Sequence, residues 1–167
     1  FSTDSLFATQ LQRFQAIGFE QAIVVVHPAN QQEAQASVEH LRTMQTRIVV
    51  QPEPKGIGDA LLQAGLALSG DLSRPVYVAR VQDVVDDTLH HMMLNAHYSD
   101  KSLGLIAGYE TESTASNGYL DIDDTGRVLK WQDQTSRYGH IMLHLHSDAA
   151  RLMNSLREAF QGNPAGD

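Results

Sequence analysis

The chain has 167 residues, enough for one domain with a buried core, and 42% of them are hydrophobic. Its formal charge is −8, with three lysines among twelve basic residues and no basic stripe, so nucleic acid is excluded as a natural partner. No apolar run reaches the length of a membrane span and no signal peptide is visible. The absence of cysteine removes disulfides and thiolate chemistry and points to a cytoplasmic protein.

In chain order, Ser2-Thr3-Asp4-Ser5 forms a cap cluster, and Leu6, Phe7, Leu11, Phe14 and Ile17 fall on one helical face that Gly18 ends. Ala22-Ile23-Val24-Val25-Val26 reads as a strand buried on both faces. His27-Pro28-Ala29-Asn30 turns the chain, and Gln31 to Arg42 carries Ala34, Val38 and Leu41 at helical spacing. Residues 46–50 are the next strand. Gln51 to Asp59, with Pro52, Pro54, Gly56 and Gly58, is a tight, exposed loop, and Ala60 to Leu68 is an apolar helix.

Strand–helix alternation of this kind predicts an α/β domain: a mostly parallel, Rossmann-like sheet with helices on both faces. Residues 75–81 give a third strand, residues 88–97 a helix and residues 103–109 a fourth strand. Asp123-Asp124-Thr125-Gly126 is a hairpin turn between strands at 118–122 and 127–131, a β-hairpin excursion from the sheet. Residues 138–146 alternate as a strand, and Asp148 caps a last helix reaching Phe160. No internal repeat or linker divides residues 1–167, so one domain is expected.

A loop that leaves a strand and enters a helix lies at the carboxyl edge of the sheet, where open α/β folds bind ligands. Gln51 offers a donor and an acceptor to a nucleobase edge, and Gly56 lets the backbone approach a flat ring. Asp83 leaves the third strand at the same edge, where a carboxylate can hold Mg²⁺ beside substrate phosphates. Asp86 and Asp87 sit at a helix start and read as caps. His140, Met142, His144 and His146 share one side of a strand; zinc would accept such imidazoles, but no acid or cysteine completes a set, and a polar strand face is expected. His90, His91 and His97 read as surface or packing residues.

Gln51, Pro52, Pro54, Gly56 and Ala60 resemble the base-binding segment of sugar-1-phosphate nucleotidylyltransferases, the thymidylyl and uridylyl branches above all. The resemblance implies that Gln51, Pro52 and Gly56 hold the base of a nucleoside triphosphate and that Asp83 binds the catalytic Mg²⁺. It further implies that Gly118 and Asp133 contact the sugar of a sugar 1-phosphate. Gln82 stands where the family has a Gly before the acid, and Gln134 where it has a Lys for the sugar phosphate. The family's Gly-rich loop, G-G-x-G-T-R-L followed by Pro-Lys, does not occur in these residues. The strand carrying that loop sits mid-sheet in the family, so a gap between neighbouring strands is expected here. The catalytic residues of the loop are therefore outside this sequence. The implied function is nucleotidyl transfer with release of pyrophosphate, or else a degenerate domain that senses a sugar nucleotide. The base, the sugar and homo-oligomerisation stay open.

Overall fold

A computed structural model describes residues 5–39, 41, 44–53, 55–68, 72–100, 104–112, 118–132 and 136–162. Helix α1 (Leu6–Ile17) begins at Ser5, whose hydroxyl accepts from the Ala8 amide, and ends at Gly18, whose positive φ lets its amide reach back to Gln15 and Phe14. Strand β1 (Gln21–Val26) pairs in parallel with β2 (Gln45–Val50), joined through α2 (Gln31–Val38). Helix α3 (Gly56–Ala67) starts four residues before the apolar run that suggests it. Strand β3 (Val76–Ala79) and helix α4 (Asp87–Asp100) follow, then β4 (Gly104–Glu110). The hairpin β5 (Tyr119–Ile122) and β6 (Val128–Gln132), strand β7 (Tyr138–His146) and helix α5 (Ala149–Gly162) complete the order.

The α/β class holds, and the pairing is divided. Among the described residues β1 and β2 form a two-stranded parallel sheet of their own. The other five strands are organised around β7, which runs antiparallel to β3, β4 and β5, so parallel pairing is confined to β1–β2. Strands β3 and β4 nonetheless point the same way, because both oppose β7. Leu143 and Leu145, essentially without solvent contact, pack with Met93 of α4 and Ala107 of β4 to form the core.

Two sets of contacts fix the direction of β3 relative to β1 and β2. At one end Glu20 accepts the Gln45 amide at 2.8 Å and ion-pairs with Arg74 at 3.5 Å, bringing the starts of all three strands together. Along α1, Phe14 lies against Tyr77, while Gln10 donates to the Val81 carbonyl at 3.3 Å and Arg13 to that of Val85. The helix therefore runs opposite to β3, as its tight turn at Gly18 makes it run opposite to β1. The residues that leave β2 and β3, Gln51 and Asp83, emerge at one edge of the molecule.

Helices α3 and α5 meet closely through glycine. A Cβ at Gly58 would stand 2.8 Å from the Phe160 ring, and one at Gly65 would stand 2.2 Å from Met153 Sδ. Asp148 caps α5 by accepting from the Arg151 amide at 2.8 Å, and Asp86 does the same for Thr88 at the head of α4. Asp87 pairs with Arg13 of α1. His90 and His97 prove to be packing residues, both buried, with the Tyr77 hydroxyl 2.7 Å from His90 Nδ1.

Candidate active site at the carboxyl edge

The Gln51 amide N–H continues the β2 ladder by donating to Val26 at 2.8 Å, which holds the residue half-buried at the strand end. Its side-chain nitrogen then turns into its own loop. It donates to Asp59 Oδ2 at 2.6 Å and to the Gly56 carbonyl at 3.3 Å. Both partners are acceptors only, so the NH₂ group must face them. The expectation of a free donor beside a free acceptor changes accordingly: the donors are spent inside the loop. Gly56 opens α3 at φ 83°, which only glycine adopts without strain. Pro52 is exposed beside it, and Lys55 pairs with Glu53 at 3.1 Å. Pro54 lies outside the described residues.

Asp83 is held more firmly than a waiting metal ligand. Arg80 clasps both carboxylate oxygens at 3.1 to 3.2 Å, and the Met142 amide donates to Oδ2 at 3.0 Å. The side chains of Arg80 and Asp83 are only 26% and 13% exposed, so the pair is largely shielded from water. Arg80, three residues before the acid in a tight turn, is not among the residues that the sequence singles out; its opposite charge at that spacing is the one signal that could have found it.

Gly118 lies buried at the entry to β5 with φ 120°, and its carbonyl accepts from the His140 amide at 3.0 Å. A Cβ there would meet Trp131 Nε1 at 2.5 Å, so the glycine has a packing reason as well as a conformational one. Trp131 reaches across from β6 and sets its ring 3.9 Å, centroid to centroid, from His140. His140 Nε2 and His144 Nε2 are 2.7 Å apart. The polar strand face expected for β7 is thus covered: His140 is 2% exposed, and its Nδ1 has no partner among the described residues. Asp133 and Gln134 lie outside the described residues.

Burial lowers the pKa of both rings of this pair to about 4; the Arg80 charge adds to the effect on His140, and the His140 and His146 charges to that on His144. Two neutral imidazoles share one N–H···N bond. Between pH 6.5 and about 4 the unfolded chain binds protons that the folded one refuses, so stability declines as pH falls through that window. A tenfold difference in proton affinity between the two states is worth about 1.4 kcal/mol. Melting temperatures at pH 7.0, 5.5 and 4.5 should drop steadily, and His144→Phe should lessen the slope. A variant whose melting tracks the parent at all three pH values would contradict this assignment.

The charge balance can be tested for Mg²⁺, which takes one or two carboxylates and completes its shell with phosphates and water. Asp83 is one such carboxylate, so the chemistry is compatible, provided Arg80 releases an oxygen. No cluster of three or more acidic, histidine or cysteine side chains suited to a metal exists among the described residues. A surface hollow of about 20 Å³, lined by Gln21, Ile23 and Arg47, sits at the start of β1 and β2, away from this edge. No helix among the described residues is long and apolar enough to cross a membrane.

Residues 1–137 match the family described as Nucleotidyl transferase. The chain belongs to that family. The nucleotidyl transferase assignment agrees with the fold of solved structures. The inositol-1-phosphate CTP transferase from T. maritima superposes with TM-score 0.76 at 10% identity, over 98% of this chain and 64% of that one. A 4-diphosphocytidyl-2C-methyl-D-erythritol synthase from Anaerococcus prevotii gives 0.71 at 13% identity, over 95% and 68%. UDP-glucose pyrophosphorylase complexed with UDP-glucose gives 0.69 at 16%, over 93% and 68%. The chain thus spans about two thirds of the length of the structures it matches. No curated protein sequence matches it.

Proposed function

We propose that this nucleotidyl transferase domain binds a nucleoside triphosphate and a sugar 1-phosphate and transfers the nucleotidyl group between them. The sugar-phosphate oxygen attacks the α-phosphorus in line, the α–β phosphoanhydride bond breaks, and pyrophosphate leaves. The observation that carries this reading is the common edge of Gln51 and Asp83, in a family and a fold of nucleotidyl transferases. Gln51, Pro52 and Gly56 receive the base, and Gly118 with Asp133 receives the sugar. Asp83 would hold Mg²⁺, which when bound supplies charge for the phosphates. Arg80, freed from one oxygen of Asp83, offers a guanidinium to the same phosphates. Catalysis of this kind is positioning and charge stabilisation, and this chain's own residues supply the positioning.

The split between the β1–β2 sheet and the β7 sheet supports the expectation that a further strand belongs between them. The test is pyrophosphate release by the intact protein, supplied with Mg²⁺, each nucleoside triphosphate and a panel of sugar 1-phosphates. Gln51→Ala should weaken triphosphate binding roughly tenfold, the worth of one partly buried hydrogen-bonding group; calorimetric titration measures it. Unchanged affinity would remove Gln51 from the base site. One observation favours binding without turnover: Asp83 is neutralised by Arg80. That reading expects sugar nucleotides to bind while no pair of substrates yields pyrophosphate.

A further inference from the structure

The Gln51 side chain spends its donors within its own loop, and this limits the base it can face. With Nε2 committed to Asp59 and to the Gly56 carbonyl, Gln51 keeps only its oxygen for a ligand. Asp59 uses Oδ2 in the same bond, and among the described residues Oδ1 accepts from nothing. Both side chains are half-buried, so neither is freely solvated. The loop therefore leaves two acceptor atoms, Gln51 Oε1 and Asp59 Oδ1, on side chains that a 2.6 Å hydrogen bond joins. Adjacent acceptors call for adjacent donors. Among the nucleobases guanine carries them, as N1–H beside the N2 amine. Uracil and thymine have one ring N–H between two carbonyl oxygens, and cytosine and adenine place an acceptor nitrogen next to their amine.

We propose that Asp59 is a specificity residue and that Gln51 Oε1 and Asp59 Oδ1 together select a guanine nucleotide. The inference rests on the base-site reading above. Asp59 also positions Gln51: the carboxylate fixes which way the amide points, because an oxygen of the amide turned toward Asp59 would face a second acceptor. The sequence shows neither role, since Asp59 sits in the first turn of α3, where an acid is ordinary.

The decisive substitution is Asp59→Asn. An asparagine oxygen still accepts from Gln51 Nε2, so the loop bond survives. The atom facing the ligand becomes an NH₂ donor. The edge then presents an acceptor beside a donor, which suits the imide of uracil or thymine and opposes the guanine amine.

The experiment is calorimetric titration of the intact protein and its Asp59→Asn variant with GTP, ITP, UTP, dTTP, CTP and ATP in Mg²⁺. ITP keeps N1–H and lacks the N2 amine, so it isolates the second donor. The parent should prefer GTP over ITP by about tenfold or more, as a site loses affinity when a buried acceptor is left unpaired. In Asp59→Asn the GTP-to-ITP ratio should fall to near one, and UTP or dTTP should gain. Equal affinity of the parent for GTP and ITP, or a preference for a pyrimidine nucleotide, overturns the guanine assignment while leaving the base site in place. An equal loss for every nucleotide in Asp59→Asn shows a merely structural role for Asp59 and overturns the proposal. Binding of none of the six by the parent overturns this inference and the base-site reading together. Circular dichroism of the variant, expected to match the parent, separates a loss of binding in Asp59→Asn from misfolding.

Discussion

Asp83→Ala should lower both stability and ligand binding, whereas Asp83→Asn should spare much of the first and lose the second. Alanine strips Arg80 of its bidentate partner and the Met142 amide of its acceptor, leaving a guanidinium only 26% exposed without a counter-charge. Breaking a fully buried pair costs about 3–5 kcal/mol; with partial exposure a loss of about 2 kcal/mol is expected. Asparagine retains an oxygen for the Met142 amide and a dipole for Arg80, so about 1 kcal/mol should go. Neither variant carries the negative charge that Mg²⁺ requires, and both should bind Mg²⁺-triphosphate more weakly by about tenfold or more, a difference of about 1.4 kcal/mol. Urea titrations read the first quantity and calorimetry the second. If Asp83→Asn binds the Mg²⁺ complex as the parent does, Asp83 serves only Arg80 and the Met142 amide.

Gly118→Ala should be the most damaging single methyl group in the site. The residue has φ 120°, outside the region open to alanine, and the added carbon would stand 2.5 Å from Trp131 Nε1. Backbone strain of about 1–3 kcal/mol and overpacking of similar size combine, so a loss of about 3 kcal/mol is expected. That is a large share of a stability of roughly 5–15 kcal/mol. Trp131 is the only tryptophan, so its fluorescence reports the displacement directly. The indole should leave His140, and its emission should shift before the rest of the protein unfolds. Parent-like emission together with parent-like urea stability would mean that the Gly118–Trp131 contact is loose.

Much of the architecture is legible in the sequence because local chemistry and tertiary packing agree over the first half of the chain. Ser5 and Gly18 bracket α1 by capping, and the apolar run Ile23 to Val26 pairs in parallel with β2. The start of α3 is hidden because glycines at 56 and 58 look like loop. Gly58 belongs to the helix because Phe160, about a hundred residues later, fills the space a side chain would take. A contact of that range leaves no local mark. The β7 histidines read as a polar strand face, and their burial is hidden for the same reason: Trp131, on another strand, covers His140. The expectation of a mostly parallel sheet extends too far because a strand buried on both faces reads alike whether its neighbours run with it or against it.

The candidate site is legible as residue types and not as states of pairing. Gln51 and Asp83 stand out as an amide and an acid at strand ends, and the fold brings both to one edge. That the amide has turned its donors to Asp59, and the acid both oxygens to Arg80, depends on rotamers that no spacing encodes. Such internal partners keep polar groups satisfied in the free protein; Asp83 must release an oxygen when a ligand arrives, while the Gln51–Asp59 bond stays and sets which atoms face the base.

The common edge is tested most directly by a crystal structure of the intact protein with Mg²⁺ and a non-hydrolysable nucleoside triphosphate. The base should lie against Gln51 and Gly56, with the phosphates of the same molecule reaching the side of Asp83 and Arg80. A nucleotide seated elsewhere, or one whose base touches the Gln51 loop while its phosphates run away from Asp83, would contradict the account.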